Sequence, residues 1–429
     1  MDNLSKEQKK FIKLSEKQRE ESGCIAYLSI ENFGAIKKAN IEINKLTLFI
    51  GNNNTGKSTL AKLITILMDI TVLNKDHFLS ELKEFDISRL LAPQTKIYWY
   101  GILGCFFLEK GKYFYNIKKE LEDLYAPKNI EKSLMLKIHK EGIRIDNILN
   151  EFNNIGISKK IQQTLLKGVD IDKVEDILVK NHIRDGYPFE TLYIPAEREF
   201  ITTIAGSTLS LLRSGLPISA TVLNFAAKFE QAKYKINTVN VRFFDSYYHW
   251  ENGEDRIYFS KNRFVPMSLA SSGMKSVIPA YITLLNFQER ESSFITFEEP
   301  ENNLYPTTQK EFINELSRLC LDHKKKLQCL TITTHSPYIL SSFNNLIQAG
   351  TLAASKPELA DKIDKIIPKD SWINFKDVSA YSLKSGTAHS ILDQEWQAIL
   401  AEEIDGASDI IGEEYEQLLS LKYGNTDNG

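Results

Sequence analysis

Residues 51 to 58 read Gly-Asn-Asn-Asn-Thr-Gly-Lys-Ser, between an apolar run, Leu46 to Ile50, and a run with helical spacing, Leu60 to Ile70. A buried strand that turns through such a loop into a helix fits few folds, and an α/β layered fold is the first of them. The string matches G-x-x-x-x-G-K-[ST] without a mismatch. Its glycines let backbone N–H groups turn inward around an anion, and the helix N-terminus adds partial positive charge. Asn52, Asn53, Asn54, Thr55, Gly56, Lys57, Ser58 and Thr59 are therefore the expected phosphate-binding residues. Lys57 would place a point charge near the β- and γ-phosphates, and Ser58 would offer its hydroxyl to Mg²⁺. The alternative is a Gly/Asn-rich turn that happens to precede Lys-Ser. Strand, loop and helix in the required order argue against it.

Composition narrows the class without naming the ligand. The 429 residues allow two or three domains, and 42% apolar content is enough for a sizeable core. With 53 basic and 56 acidic residues the formal net charge is −3, so no global field draws the chain to nucleic acid or an anionic membrane. Met1 to Gly23 is dense in Lys, Glu and Gln, and reads as a solvated helix or frayed arm rather than a signal peptide. The most apolar stretch, Ile97 to Leu108, is too short to span a bilayer as a helix and reads as buried strand or core. Cys24, Cys105, Cys320 and Cys329 lack C-x-x-C spacing, which suits reduced buried thiols in a cytoplasmic protein without membrane contact.

Five segments follow from the patterning. Residues 1–24 are the charged arm, and 25–72 form the first lobe of a nucleotide-binding head, with short strands and a turn at Asn32-Phe33-Gly34. Residues 73–190 read as a mainly helical insertion, with helical spacing in Ile117 to Leu124, Ile130 to Ile138 and Ile161 to Leu166. Residues 191–345 form the second lobe. It holds a hairpin turning at Glu251-Asn252-Gly253, an apolar helix from Ser276, and the strands Phe294 to Phe297 and Gln328 to Thr333 around an amphipathic helix. Residues 346–429 are mixed: a hairpin about Gly386, a helical stretch from Glu395 to Leu421, and an end expected to be disordered.

Two further strings belong on the same rim. Phe294-Ile295-Thr296-Phe297-Glu298-Glu299 ends a buried strand in two carboxylates, where doubly wound sheets place their ligands. Glu298 would hold Mg²⁺ and Glu299 would act as general base toward water. His335, in Thr333-Thr334-His335-Ser336-Pro337, follows the next strand and could contact a terminal phosphate. Ser271, Ser272 and Gly273 open a helix and present N–H groups suited to an anion. Taken singly, an acidic strand end, a His before Ser-Pro and a Ser-Ser-Gly helix start are common harmless features. Their order after a phosphate loop is what joins them.

That order resembles the ABC-type P-loop ATPase heads of the SMC and RecF kind, a mixed, largely parallel sheet with flanking helices. The closest likeness is to the OLD-like branch of AAA-family ATPases in bacterial anti-phage defence. Ile30-Glu31-Asn32-Phe33-Gly34, the phosphate loop and Glu298-Glu299-Pro300-Glu301 carry it. The resemblance implies ATP and Mg²⁺ as ligands, catalysis by Glu299, His335 and Lys57, and a metal held by Ser58 and Glu298. It makes Ser271 to Gly273 a signature segment acting on ATP held by a second copy, so a homodimer or higher homo-oligomer is expected. Pro300 to Asn303 would be the D-loop, and Arg198, in Pro195-Ala196-Glu197-Arg198, would reach the nucleotide or the partner head or else start a helix.

The residues after Ser341 are too few for the Toprim domain of OLD nucleases and lack its acidic signature, so self-contained DNA cleavage is disfavoured. The R-x-x-x-x-H spacing of Arg318 and His323 matches a HEPN ribonuclease string, but a helix of the head explains it better. The expected function is an ATP-driven switch controlling a separate nuclease or toxin effector. The alternative is a RecF-like DNA-binding ATPase, with nucleic acid as a candidate partner through pairs such as Lys37-Lys38.

Overall fold

Leu46–Ile50 is buried at every position, as a strand covered on both faces must be. In the computed structural model it is the third strand, β3, of an 11-stranded sheet ordered β6-β5-β4-β1-β2-β15-β14-β3-β13-β12-β7. The structure describes residues 4–69, 75–102, 104–117, 190–204, 218–288, 292–321, 327–400 and 402–423. The chain divides into two units, one of Met1–Asn116 with Thr191–Gly429 and one of Ile117–Glu190. The described residues fall almost wholly in the first.

The sheet has two halves of different construction. β1 (Ala26–Phe33) and β2 (Ile36–Ile43) pair antiparallel, and β4 (Lys96–Gly101), β5 (Gly104–Glu109) and β6 (Lys112–Ile117) extend that wing. The other half pairs parallel. β12 (Ser292–Glu298) lies beside β13 (Leu327–Thr334), β13 beside β3, and β3 beside β14 (Val378–Lys384), with β7 (Glu190–Ile194) at the edge. The register brings Ile50 level with Thr334 and Glu298 level with Thr333, so three strand ends share one rim.

Helices cover both faces, as parallel pairing requires. They are α1 (Lys6–Ser22), α2 (Lys57–Met68), α3 (Lys75–Glu84), α4 (Glu199–Ile204) and α5 (Ala220–Lys235). After these come α6 (Ser272–Phe287), α7 (Pro306–Cys320), α8 (Pro337–Ser355) and α9 (Glu402–Tyr423). Nearly all of α2 is buried, and its Thr65 Oγ1 meets Thr296 Oγ1 of β12 at 2.6 Å. A separate four-stranded sheet runs β11-β10-β9-β8, from β8 (Thr238–Val241), β9 (Ser246–Glu251), β10 (Glu254–Ser260) and β11 (Arg263–Pro266). The β9–β10 hairpin turns through Asn252 at φ 54° and Gly253 at φ 79°, the two-residue turn the sequence predicts. β16 (Leu392–Asp393) and β17 (Ala398–Ile399) form a short ribbon ahead of α9.

Three segments differ from expectation. The charged arm is a packed helix: Ser5 and Gln8 close a capping box, and Leu4, Phe11 and Ile12 are buried against Tyr27, Tyr98 and Phe107. Two apolar side chains one position apart are enough to seat a helix that is otherwise solvated. The insertion expected from residue 73 begins later, because Lys96–Ile117 are strands of the main sheet. Of the predicted helical stretches, Ile117 ends β6, and the rest of 117–124, with 130–138 and 161–166, lies outside the described residues. The C-terminal region is no appendage, since β14 lies between β3 and β15 (Thr387–Ser390) and pairs parallel with β3. The disorder expected at the chain's end and His323 of the HEPN-like string also fall outside the described residues.

Among the described residues no helix is long and apolar enough to cross a membrane. All four cysteines are free and buried, as expected, and burial pushes the Cys105 thiol up to about 11.

Candidate functional site

The loop after β3 closes on itself. Gly51 sits at φ 150°, where a Cβ would lie 2.5 Å from the carbonyl oxygen of Leu383, so no side chain fits. Asn54, at φ 61°, takes the left-handed conformation that Asn tolerates. Lys57 opens α2 and is buried, and its Nζ donates to Gly51 O at 2.7 Å and Asn52 O at 2.8 Å. Burial pulls its pKa below the usual lysine range, and the nearby Glu299, Glu301 and Glu298 oppose that shift. Thr55 Oγ1 donates to Asn52 O at 2.9 Å, while Asn52, Asn53, Asn54 and Ser58 are exposed on the rim. Thr59 is half-buried in the first turn of α2, and Gly56 is its N-cap.

β12 ends in two carboxylates with unlike surroundings. Glu298 is buried, and its Oε1 has no hydrogen-bond partner among the described residues. Burial pushes its carboxyl above the ordinary range, while the neighbouring Tyr193 phenol, Ser58 hydroxyl and Lys62 pull the other way. The Tyr193 hydroxyl lies close by yet is itself without a completed hydrogen bond, and burial beside Glu298 raises its pKa. An orphaned buried carboxylate oxygen next to a serine hydroxyl fits a divalent cation, since hard cations take oxygen donors and Mg²⁺ needs only one or two from protein. Glu298 and Ser58 would hold it.

Glu299 is half-exposed and sits at φ 43°, an unusual conformation for a residue other than Gly, Asn or Asp. Its N–H donates to Thr333 O at 2.8 Å, which ties the residue after β12 to β13. Its Oε1 lies 3.2 Å from His335 Nε2. His335 is held in turn by Glu301, whose Oε1 accepts from His335 N at 2.7 Å and Thr334 Oγ1 at 2.8 Å. Ser336 Oγ donates to Gln309 Oε1 at 2.7 Å, so the loop after β13 is fixed from two sides.

Lys57, Ser58, Glu298, Glu299 and His335 thus converge on one rim. Ser271, Ser272 and Gly273 make different contacts. Ser271 caps α6, its Oγ accepting from Met274 N at 3.4 Å, and both serines are exposed. Gly273 faces the segment after β12: a Cβ there would stand 2.7 Å from Asn303 O and 3.3 Å from Leu304 Cδ2. Glu199 reinforces that seam, with Lys275 Nζ at 3.4 Å and Asn303 Nδ2 at 2.9 Å.

Arg198 takes the second of its two expected places: it stands at a helix start, in the turn 196–198 directly ahead of α4, and its side chain points inward, fully buried and 4.7 Å from the Phe297 ring centroid. Its guanidinium donates to Glu298 O and Glu299 O at 2.7 Å each, and to Pro195 O and Ser276 O at 3.1 Å each. Burial lowers its pKa to about 10, leaving it a cation at neutral pH. Arg318, of the HEPN-like string, is an ion-paired helix residue bonded to Glu315. Sequence reasoning also passed over Tyr193 and the clamp by Glu301. An acid two residues past a strand-end pair was the available signal for the second, and nothing local marked the first.

The SMC head domain from Thermotoga maritima is 13% identical, with a TM-score of 0.36 over 85% of this chain and 97% of that one. The Smc head domain with an extended coiled coil bound to the C-terminal domain of ScpA, from Pyrococcus furiosus, is also 13% identical, with a TM-score of 0.35 over 91% and 98%. The SmcHead bound to the C-winged helix domain of ScpA gives 13% and 0.37 over 86% and 98%. No curated protein matches the chain. The family model for the AAA ATPase domain matches residues 24–187 and 199–340, most of the sequence, and the chain belongs to the AAA ATPase domain family.

Proposed function

We propose that the chain binds and hydrolyses ATP with Mg²⁺, and that nucleotide drives two heads together. The observation that carries this reading is the Glu299–His335 pair at 3.2 Å, on the rim that also holds Lys57 and Glu298. Lys57 exchanges the carbonyls of Gly51 and Asn52 for phosphate oxygens, and the N–H groups of residues 52–59 surround the same group. Ser58 and Glu298 would hold a divalent cation, which would supply charge neutralisation at the phosphates. Glu299 accepts the proton of the attacking water, and His335 orients that carboxylate and contacts the terminal phosphate. Ser271 to Gly273 of a second copy complete the site, so turnover depends on dimerisation.

Glu299→Gln is expected to abolish turnover, keep nucleotide binding and accumulate the ATP-bound dimer. Unchanged turnover would remove Glu299 as the base. Lys57→Ala should lose nucleotide binding, and intact binding would count against the loop. The output of the switch is control of a separate nuclease or toxin in anti-phage defence, a reading supported by the resemblance to OLD-like ATPases. Co-purification of such a protein from an adjacent reading frame tests it.

A further inference from the structure

The four-stranded sheet has one face in the core and one in solvent. Tyr248 and Ile257 fill the inner face and are fully buried. On the outer face the register sets Tyr247 opposite Tyr258 and Tyr258 opposite Phe264, one ring on each of three adjacent strands. The Tyr258 and Phe264 centroids are 5.1 Å apart, and the Arg256 guanidinium lies 4.6 Å from the Phe264 centroid. Tyr247 and Phe264 are 51% and 42% exposed, and Phe259, in the bulge between Tyr258 and Ser260, is 47% exposed. A soluble surface carries a contiguous row of rings for a reason, since burying them elsewhere would be favourable.

Charge along the strands is uneven. At the hairpin end, Glu251 and Glu254 both pair with Arg256, at 3.0 and 2.7 Å. At the other end, beside the ring row, Lys261 is exposed on the β10–β11 turn and Arg263 at the start of β11, with Asp245 exposed nearby in sequence to Tyr247, while the Tyr258 hydroxyl bonds Glu251 at 3.4 Å. Rings that lie open on a sheet, with cations at their margin, match unpaired bases and the phosphates that link them. A duplex keeps its base faces stacked inside and offers the rings nothing.

We propose that this face binds single-stranded nucleic acid, with bases stacked on Tyr247, Tyr258 and Phe264 and phosphates against Lys261 and Arg263. None of these residues belongs to the nucleotide site described above, and binding here does not depend on ATP hydrolysis. The chain's net charge of −3 gives no long-range attraction, so affinity comes from these local contacts. Two neutralised phosphates give a slope of log K against log salt of about −1.4 for a single strand.

The test is fluorescence anisotropy of the full chain with labelled homopyrimidine DNA, its RNA counterpart and a blunt duplex, at low and rising salt. Single strands should bind at least about tenfold more tightly than duplex, and Tyr247→Ser with Phe264→Ser should lose about tenfold or more. Lys261→Ser with Arg263→Ser should flatten the salt slope, Phe264→Tyr should retain binding, and all variants should melt like the parent. The DNA and RNA arms report which sugar is preferred. Absence of single-strand binding at low salt, equal affinity for duplex, ring variants that bind like the parent, or a protein held on this face with no oligonucleotide bound would each overturn the proposal.

Discussion

The guanidinium of Arg198 donates to the carbonyl oxygen of Glu299 at 2.7 Å, so a fully buried cation fixes the backbone of a half-exposed carboxylate. The same group also donates to Ser276 O in α6 at 3.1 Å. Strand end and helix therefore share one anchor.

Arg198→Met should leave four carbonyls without their donor, two of them on the paired acids. The cost is about 3 kcal/mol or more, because unsatisfied buried groups lose their full solvation. Arg198→Lys keeps the charge but cannot span four acceptors, and should fall between. Urea unfolding with an unchanged m-value reads the difference, and a Met variant as stable as the parent would refute the anchor.

Glu299 pays for its place in left-handed backbone. Glu299→Gly should relieve up to about 1 kcal/mol of strain, offset in part by glycine's greater freedom when unfolded. Glu299→Val should cost stability instead, since a branched Cβ fits that region worst. Thermal melting of the three proteins gives the order Gly at or above Glu, with Val lowest.

Glu298 carries a raised carboxyl because it is buried. An acid whose folded pKa lies above its unfolded value binds more protons when folded, so stability falls as pH rises above about 4.5. The loss is complete once pH exceeds the folded value. Glu298→Gln should therefore melt higher than the parent at neutral pH without divalent cation, and the advantage should fade as pH falls toward 4.5. Mg²⁺ should raise the parent's melting temperature and leave the Gln variant nearly unmoved.

Gly273→Ala forces a Cβ to 2.7 Å from Asn303 O, so either α6 or the segment after β12 must shift. Such overpacking costs about 1–3 kcal/mol. Because Asn303 and Glu199 lie on the same seam, the double variant Gly273→Ala with Asn303→Gly should deviate from additivity. Additive losses would mean that the two residues act separately.

The parts visible in the sequence are those with local causes. The phosphate loop, the Glu298–Glu299 strand end and the Asn252-Gly253 hairpin are each written within a few residues, and the structure has the predicted elements at all three. What stayed hidden depends on partners far along the chain. Lys96–Ile117 joins the sheet only because β4 finds β1, and Phe11 is buried only because Tyr27, Tyr98 and Phe107 meet it. Arg198 was visible as a residue, but its direction was not, since a guanidinium suits phosphate and carbonyl oxygens equally well. The convergence of Lys57 with Glu298 and His335 follows from motif order, whereas the clamp by Glu301 depends on how the loop after β13 folds back toward the end of β12.

The position of β14 sets an order of events during synthesis. β3 pairs on one side with β13 and on the other with β14, whose residues Val378–Ser382 match Leu46–Ile50. Until that late segment leaves the ribosome, the strand that carries the phosphate loop has one bare edge, in the company of a strongly apolar sequence. Contacts so distant along the chain form slowly, and an unpaired central edge is a site for wrong pairing. The nascent head should thus depend on chaperones through most of its translation, and nucleotide should stabilise it only after β14 has docked.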